Sequence, residues 1–180
     1  MLLGCTGLVA CLGFLSLCGA YKVTPIVADG LPGLSNITTE PFVKIGNGYY
    51  YIESTLNKNW FDAFESCRRM SADLISFESL EEWDLINDYI VERKINGAYW
   101  TSGNDFAYQG KHVWHSTGEP VTLNIWNAGD PNNHGGNEHC DEFWYATNVK
   151  HNVLNDKQCS VQSHYICEAP QPKTASFIIW

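Results

Sequence analysis

Apolar and polar residues follow regular spacings between residues 48 and 95, and the spacings predict one strand and then two helices. Residues 49–52 combine three tyrosines with isoleucine, a composition that favours a strand. Asn59, with Asp62 three residues later, can cap a helix. Its apolar residues recur at helical spacing: Phe61, Phe64, Cys67 and Met70. Ser79 and Glu82 repeat the capping pattern before Trp83, Ile86 and Ile90, which predicts the second helix.

The pattern changes after Gly97 to short aromatic strands separated by loops rich in Gly, Asn and Pro, and this continues to Cys167. Two helices followed by an irregular region of strands and loops predict an α+β fold.

The first twenty residues differ from the rest of the chain because they carry no charged side chain and end in Gly19-Ala20. An apolar stretch of this length before small residues is typical of a secretory signal peptide. The alternative is an uncleaved anchor, which would need a longer span and clearer flanking charge. We therefore expect a secreted, extracellular protein.

Four segments follow from these patterns. We expect a signal peptide over residues 1–20, a Pro- and Gly-containing linker or arm over 21–45, the main domain over 46–168 and a tail over 169–180. The arm contains an N-glycosylation sequon at Asn36. The tail ends in four apolar residues, and the sequence leaves open whether it packs on the domain or extends freely.

Composition excludes several classes of function. Apolar residues make up 44 % of the 180 residues and aromatic residues 13 %, enough for a buried core. The net charge of -9, without any basic run, argues against nucleic acid and anionic membranes as partners. No nucleophile motif such as G-x-S-x-G occurs, so we do not expect an enzyme.

The cysteines also indicate an exported protein. Three of the seven lie in the predicted signal peptide, which leaves Cys67, Cys140, Cys159 and Cys167. Four cysteines in an exported chain predict two disulfides, and three pairings are possible. Zinc is the competing interpretation, but neither C-x-x-C nor H-E-x-x-H occurs.

Oxygen-bearing side chains are concentrated in the loop at residues 126–140. A bridge between Cys140 and Cys159 would place this loop beside residues 154–158. The combined set contains three carboxylates and two amides: Asp130, Asn132, Glu138, Asn155 and Asp156. Ca²⁺ prefers such hard oxygen ligands, and soft ligands for zinc or copper are absent from the set. The alternative is an ordinary solvated Asn/Gly/Pro loop.

Residues 46–168 resemble a C-type lectin domain. The resemblance rests on motifs that agree in order and spacing: Trp60-x-x-Ala63-x-x-x-Cys67, Ala72-Asp73-Leu74-Ile75-Ser76, Tyr99-Trp100-Thr101-Ser102-Gly103, Trp114, Trp126, Glu138-x-Cys140, Asn155-Asp156-x-x-Cys159 and Tyr165-Ile166-Cys167-Glu168. Short secreted forms of this layout are similar to insect lectins of innate immunity.

The resemblance implies the C-type lectin fold, with two helices, small antiparallel sheets and a long calcium- and sugar-binding loop. It implies the disulfides Cys67–Cys167 and Cys140–Cys159 and a cis peptide bond before Pro131. It implies that the five oxygen-bearing residues hold Ca²⁺ and contact sugar hydroxyls, with His134 at the rim of the sugar site.

One triplet departs from the family pattern. Mannose-type members carry Glu-Pro-Asn and galactose-type members Gln-Pro-Asp, whereas this chain has Asp130-Pro131-Asn132. The acid-first order favours mannose or fucose. A second calcium site found in many relatives should be weak or absent, because Asn133 and His139 stand where acids are expected.

The resulting hypothesis is a Ca²⁺-dependent lectin that binds glycans of microbial or host cells, with agglutination of microbes or binding to haemocyte glycans as its role. The alternatives are a galactose-specific lectin and a domain of the same fold that binds a protein without sugar.

Overall fold

The computed structural model describes residues 39–146 and 151–171 in full, and the backbone of residues 23–29 and 173–179. The predicted signal peptide and the sequon at Asn36 lie outside the described residues. The chain divides into two compact units, residues 1–30 with 173–180, and residues 31–172.

The described part contains two α-helices, one short 3₁₀-helix (His134–Gly136) and ten strands. The α-helices are α1 (Trp60–Arg69) and α2 (Leu80–Glu92). The strands are β1 (Val23–Asp29), β2 (Val43–Ile45), β3 (Gly48–Lys58), β4 (Asp73–Leu74), β5 (Ala98–Asn104), β6 (Val113–Trp114), β7 (Cys140–Ala146), β8 (His151–Lys157), β9 (Ser163–Glu168) and β10 (Lys173–Ile179). The α+β class expected from the sequence is confirmed.

The larger unit is built on one sheet with the strand order β2-β3-β9-β5-β7-β8. Strands β5 and β9 run parallel, and the other neighbours along this order are antiparallel. Short strands β4 and β6 pair with β9 and β5. The segment between β6 and β7 contains the polar loop, so the β7–β8 edge of the sheet supports it.

Both helices begin where the capping residues predict. The Asn59 side chain accepts a hydrogen bond from the Asp62 N–H, and Ser79 does the same for Glu82. The buried residues of α2 include all three expected ones, Trp83, Ile86 and Ile90.

The buried side of α1 differs from the apolar spacing. It consists of Trp60, Ala63, Ser66 and Cys67. Phe61 is 54 % exposed, although it belongs to the apolar set at helical spacing. The reason is that Trp60 occupies the interior, which turns its neighbour Phe61 outward.

Two hydrophobic clusters form the core of this unit. One packs α2 against the sheet and is built mainly on Phe77, Trp83, Tyr99 and Phe143. The other lies beneath α1, around Trp60, Trp100 and the disulfide cysteines. The disulfides join Cys67 to Cys167 and Cys140 to Cys159, the pairing implied by the resemblance.

The smaller unit is described only by its two strands. Residues 23–29 pair antiparallel with residues 173–179, from Val23 opposite Ile179 to Asp29 opposite Lys173. The predicted arm and tail therefore each contain a strand, which their weak periodicity did not predict. The main sheet begins at Val43, three residues before the expected start of the domain. No helix in the described ranges is long and apolar enough to span a membrane.

Candidate functional site

The polar loop is anchored to the β7–β8 strand pair. Cys140 lies opposite Lys157, and the register then places Asp141 opposite Asp156 and Glu142 opposite Asn155. The Cys140–Cys159 disulfide joins the same strand ends. This arrangement brings the polar loop beside Asn155 and Asp156, as the sequence predicted.

Asp156 is the structural centre of the site. Its side chain is fully buried, and its two carboxylate oxygens accept hydrogen bonds from the backbone N–H groups of Asn132 and Asn133, at 3.0 and 2.6 Å. A carboxylate that accepts two backbone N–H groups holds the loop backbone in place. The Pro-Asn turn is therefore fixed to the end of β8.

The turn itself contains Asp130 and Asn132. The Asn132 amide donates to one carboxylate oxygen of Asp130, and Asn127 donates to the other at 2.9 Å. The peptide bond between Asp130 and Pro131 is cis, as the resemblance implied. Asp130 is half-buried and Asn132 is exposed, so both side chains are near solvent.

Glu138 closes the loop on its other side. This buried side chain accepts a hydrogen bond from the His134 N–H at 3.1 Å, and the Glu138 N–H donates to Asn133 Oδ1 at 3.0 Å. Asn133 has a backbone φ of 44°, in the left-handed region that asparagine tolerates better than most residues. His134 itself is exposed at the surface of the loop.

Asn155 is held by a residue that the sequence did not single out. Its amide donates to Glu142 Oε1 at 3.1 Å, across the strand pair. Glu142 is buried, and burial raises the pKa of its carboxyl above the ordinary value. The contact directs the NH₂ group of Asn155 toward Glu142.

The five predicted ligands therefore form one connected set. Asp156 joins Asp130 through Asn132, Glu138 joins the same turn through Asn133, and Asn155 lies next to Asp156 on β8. Within residues 39–146 and 151–171, no three His, Cys, Asp or Glu side chains converge closely enough to hold a metal by themselves.

The chemistry of the donor set fits a hard cation. Three carboxylates lie around this turn, and the one cationic group that the described residues bring to them is Lys157, whose Nζ is 4.0 Å from Glu138. The amides of Asn132 and Asn155 both donate through Nδ2, and no described hydrogen bond uses their Oδ1 atoms as acceptors. Carboxylate and amide carbonyl oxygens are the ligands that Ca²⁺ prefers.

A second polar cluster adjoins the loop, and sequence reasoning missed its organisation. It contains two histidines and two nearly inaccessible aspartates: Asp105, His112, His139 and Asp141. His112 Nδ1 is 2.7 Å from Asp141, its Nε2 is 3.8 Å from Asp105, and His139 Nδ1 is 2.8 Å from the other oxygen of Asp105. The cluster links the end of β5 to the start of β7.

Burial and mutual contacts shift the pKa values of two members of this cluster, His112 and Asp141. Burial alone would lower the pKa of His112, but the hydrogen bond and charge of Asp141, with Asp105 and Asp156 nearby, raise it overall. Burial raises the pKa of Asp141 to about 6 against the favourable contact with His112. The Asp141 Oδ2 atom has no hydrogen-bond partner. The contact of Oδ1 with His112 is therefore the main interaction that stabilises this buried carboxylate.

Comparison with known proteins identifies the class. The chain matches the Lectin C-type domain family over residues 56–169, and it belongs to the C-type lectin family. C-type lectins are carbohydrate-binding, non-enzymatic proteins, and their domains generally bind Ca²⁺. The chain is therefore a carbohydrate-binding protein and not an enzyme.

Insect proteins are among the similar sequences. C-type lectin 37Da of Drosophila melanogaster is 37 % identical over 176 residues, which cover 93 % of this chain and 92 % of the fly protein. Salivary C-type lectin 1 of Aedes albopictus is 33 % identical over 117 residues, covering 61 % of this chain and 75 % of the mosquito protein. The resemblance to insect C-type lectins is confirmed.

Solved structures confirm the fold. The carbohydrate-recognition domain of the mouse scavenger receptor C-type lectin superposes with a TM-score of 0.64 at 26 % identity, covering 74 % of this chain and 98 % of that domain. The lectin CEL-I from Cucumaria echinata superposes with a TM-score of 0.66 at 21 % identity, covering 76 % of this chain and all of CEL-I.

Proposed function

We propose that this lectin is secreted and binds glycans of the mannose or fucose type through one Ca²⁺ in the polar loop. The ion would be held by Asp130, Asn132, Glu138, Asn155 and Asp156. The observation that supports the proposal is the pair of hydrogen bonds from the loop backbone to Asp156, at 3.0 and 2.6 Å. These bonds hold the Pro-Asn turn against β8, the strand that carries Asn155 and Asp156.

Each protein group has a distinct part in this binding. When bound, Ca²⁺ supplies direct coordination of two neighbouring sugar hydroxyls. The carboxylates of Asp130 and Glu138 accept hydrogen bonds from those hydroxyls, and the amides of Asn132 and Asn155 donate to them. Glu142 holds the Asn155 amide from the side, at 3.1 Å, so that this donor is oriented before the sugar arrives.

The order of acceptor and donor in the turn supports the choice of sugar. Asp130 precedes Asn132, which is the order of mannose-type members. His134 is exposed on the loop, and we assign it a contact with the sugar at the rim of the site. A galactose-specific site is the second candidate, because Asp130 is one methylene shorter than the usual glutamate.

The setting follows from the sequence and from the relatives. A signal peptide over residues 1–20 and a glycan at Asn36 fit an extracellular lectin. Two of the relatives are named as a salivary lectin and as a fly C-type lectin, which favours action outside the cell. We assign the lectin to recognition of microbial or haemocyte glycans, with agglutination of microbes as one expected activity.

Retention on immobilised mannose tests the calcium site. The wild-type protein should be retained in Ca²⁺ and released by EGTA. Asp130→Asn removes a ligand charge at a half-buried loop position and should abolish retention. Asp88→Asn, at an exposed position of α2, is the matched control and should behave as wild type. Retention that survives both EGTA and Asp130→Asn would favour the sugar-independent alternative.

Competition elution tests the choice of sugar. Free mannose or fucose should release the protein from a mixed glycan resin at a lower concentration than galactose. Release by galactose alone would assign the galactose class and leave the calcium mechanism in place.

A further inference from the structure

Aromatic side chains lie at the surface where α1 meets the segment after β5. Phe61 and Phe106 are 54 % and 46 % exposed, and their rings are parallel within 11° at a centroid distance of 6.0 Å. Both rings pack edge-to-face with the buried Trp60, at ring-centroid distances of 5.5 Å for Phe61 and 5.3 Å for Phe106. We name the pair Phe61 and Phe106 the aromatic platform.

The platform is held rigidly from below. The indole nitrogen of Trp60 donates to the Thr101 carbonyl at 2.9 Å, and the indole ring stacks on Phe64 at 5.5 Å. Asp105, just before Phe106, accepts a hydrogen bond from the Gly110 N–H at 2.7 Å and so closes the loop that carries the second ring. Rings fixed in advance lose little conformational entropy when a ligand stacks on them.

The platform shares its supports with the calcium loop. Asp105 donates its N–H to the His139 carbonyl at 3.2 Å, and His139 is next to Glu138. On the other side, the Trp60 N–H donates to the Cys159 carbonyl at 2.9 Å. Cys159 follows β8 and is bonded to Cys140. The backbone that carries both rings is therefore hydrogen-bonded to the residues that follow the polar loop and β8.

We infer that the aromatic platform is a second saccharide subsite, which takes a further sugar residue of a glycan held at the calcium loop. This inference rests on the proposed function. A pyranose ring presents C–H groups on one face, and such a face suits the exposed, negative face of a phenyl ring. A neutral saccharide is compatible with the net charge of -9 on this chain, which would repel an anionic partner.

The exposed area favours a sugar over a protein partner. Two half-exposed phenylalanine side chains offer about 200 Å². A stable protein interface needs about 800 Å² from each partner. A second copy of this chain would also bring its own net charge of -9 to the contact. The platform is the right size for one sugar ring.

The experiment compares monosaccharides with oligosaccharides on the full chain. Binding constants are measured in Ca²⁺ by calorimetry for methyl glycosides of mannose, fucose and galactose, and for tri- and pentasaccharides that end in each. The double variant Phe61→Ala/Phe106→Ala should weaken the preferred oligosaccharide about five- to tenfold and leave its monosaccharide unchanged. Phe106→Leu, which keeps an apolar side chain but no ring, should lose affinity in the same direction.

Controls distinguish the subsite from folding and from other partners. Leu80→Ala, at a residue 53 % exposed on α2, should bind both ligands as wild type does. Equal losses for monosaccharide and oligosaccharide, or no loss, would overturn the subsite while the calcium site stands. Sedimentation that shows a wild-type dimer converted to monomer by the double variant would assign the platform to a second copy instead. A wild-type protein that binds no saccharide would overturn the proposed function and the subsite together.

Discussion

At the scale of single residues, Asp156 holds the polar loop in place and is also one of the five proposed Ca²⁺ ligands. The structure places it in β8 with a fully buried side chain. A buried carboxylate that accepts two backbone N–H groups costs more to replace than a surface ligand, because both donors lose their acceptor.

The first prediction concerns this residue. Asp156→Asn keeps the side-chain volume but replaces one carboxylate oxygen by an NH₂ group, which then faces one of the two backbone donors. We expect the loss of calcium-dependent retention on mannose, together with a loss of about 2 kcal/mol in the free energy of unfolding. Urea denaturation measures the second effect, with Asp88→Asn as the control. Unchanged retention would show that Asp156 does not hold the ion.

The second prediction concerns the buried pair His112 and Asp141. His112→Ala leaves a fully buried carboxylate without its partner and should lower the free energy of unfolding by about 3 kcal/mol. In an Asp141→Asn background no charge is left stranded, so the same substitution should cost clearly less. A double-mutant cycle by urea denaturation measures the coupling. Equal costs in both backgrounds would show that the two side chains act independently.

At the scale of elements, the sequence predicted those features that depend on local spacing. Asn59 and Ser79 cap the two helices because capping involves residues three apart. The exposed position of Phe61 was not predictable in this way. Phe61 and Cys67 belong to the same apolar set at helical spacing, and only the packing of Trp60 in the core decides which of them is buried.

The candidate site was predictable where chemistry and family resemblance agree. The resemblance indicated the two disulfides and the five oxygen-bearing residues. The contacts of Glu142 and His112 were not predictable, because they join residues 13 and 29 positions apart through sheet register. The strands at residues 23–29 and 173–179 were missed for the same reason, since each partner is distant in sequence.

The third prediction belongs to the contact between the end of β9 and the start of α2. Burial, with the charges of Glu82, Glu78 and Asp73 nearby, raises the pKa of Glu168 to about 8, against the stabilising contact with the Ser76 N–H. The folded state therefore holds a proton that the unfolded state releases near its ordinary pKa of 4.5. The stability from this group is present at low pH and is lost as pH rises through about 8.

Glu168→Gln should remove this pH dependence. We expect the melting temperature of the variant to exceed that of wild type at pH 8.5 and the difference to shrink toward pH 5. Thermal denaturation across this range measures the effect. Glu81→Gln, at an exposed position of α2, is the control and should keep the wild-type profile. A parallel decline for Glu168→Gln and wild type would contradict the assignment.

At the scale of the whole molecule, stability and ligand binding meet at the β7–β8 strand pair. These strands carry Asn155 and Asp156, the Cys140–Cys159 disulfide follows them, and Asp141 connects them to the histidine cluster. The ligands therefore come together only in the folded chain. An ion bound there should stabilise the entire cooperative unit, because the unfolded chain offers no equivalent site.

The last prediction concerns the number of calcium ions and their effect on folding. His139, which stands where an acid of a second site is expected, contacts Asp105 at 2.8 Å, so one oxygen of this aspartate already has a partner within the chain. Calorimetric titration should therefore give one Ca²⁺ per chain. At a calcium concentration 100 times the Kd, the ion should add about 2.7 kcal/mol to the free energy of unfolding and raise the melting temperature above that in EGTA. Asp130→Asn should abolish most of this increase, while Asp88→Asn should retain it. Binding of two Ca²⁺ per chain would show that the contact between His139 and Asp105 does not prevent a second site. Equal melting temperatures in Ca²⁺ and EGTA would contradict an occupied loop site.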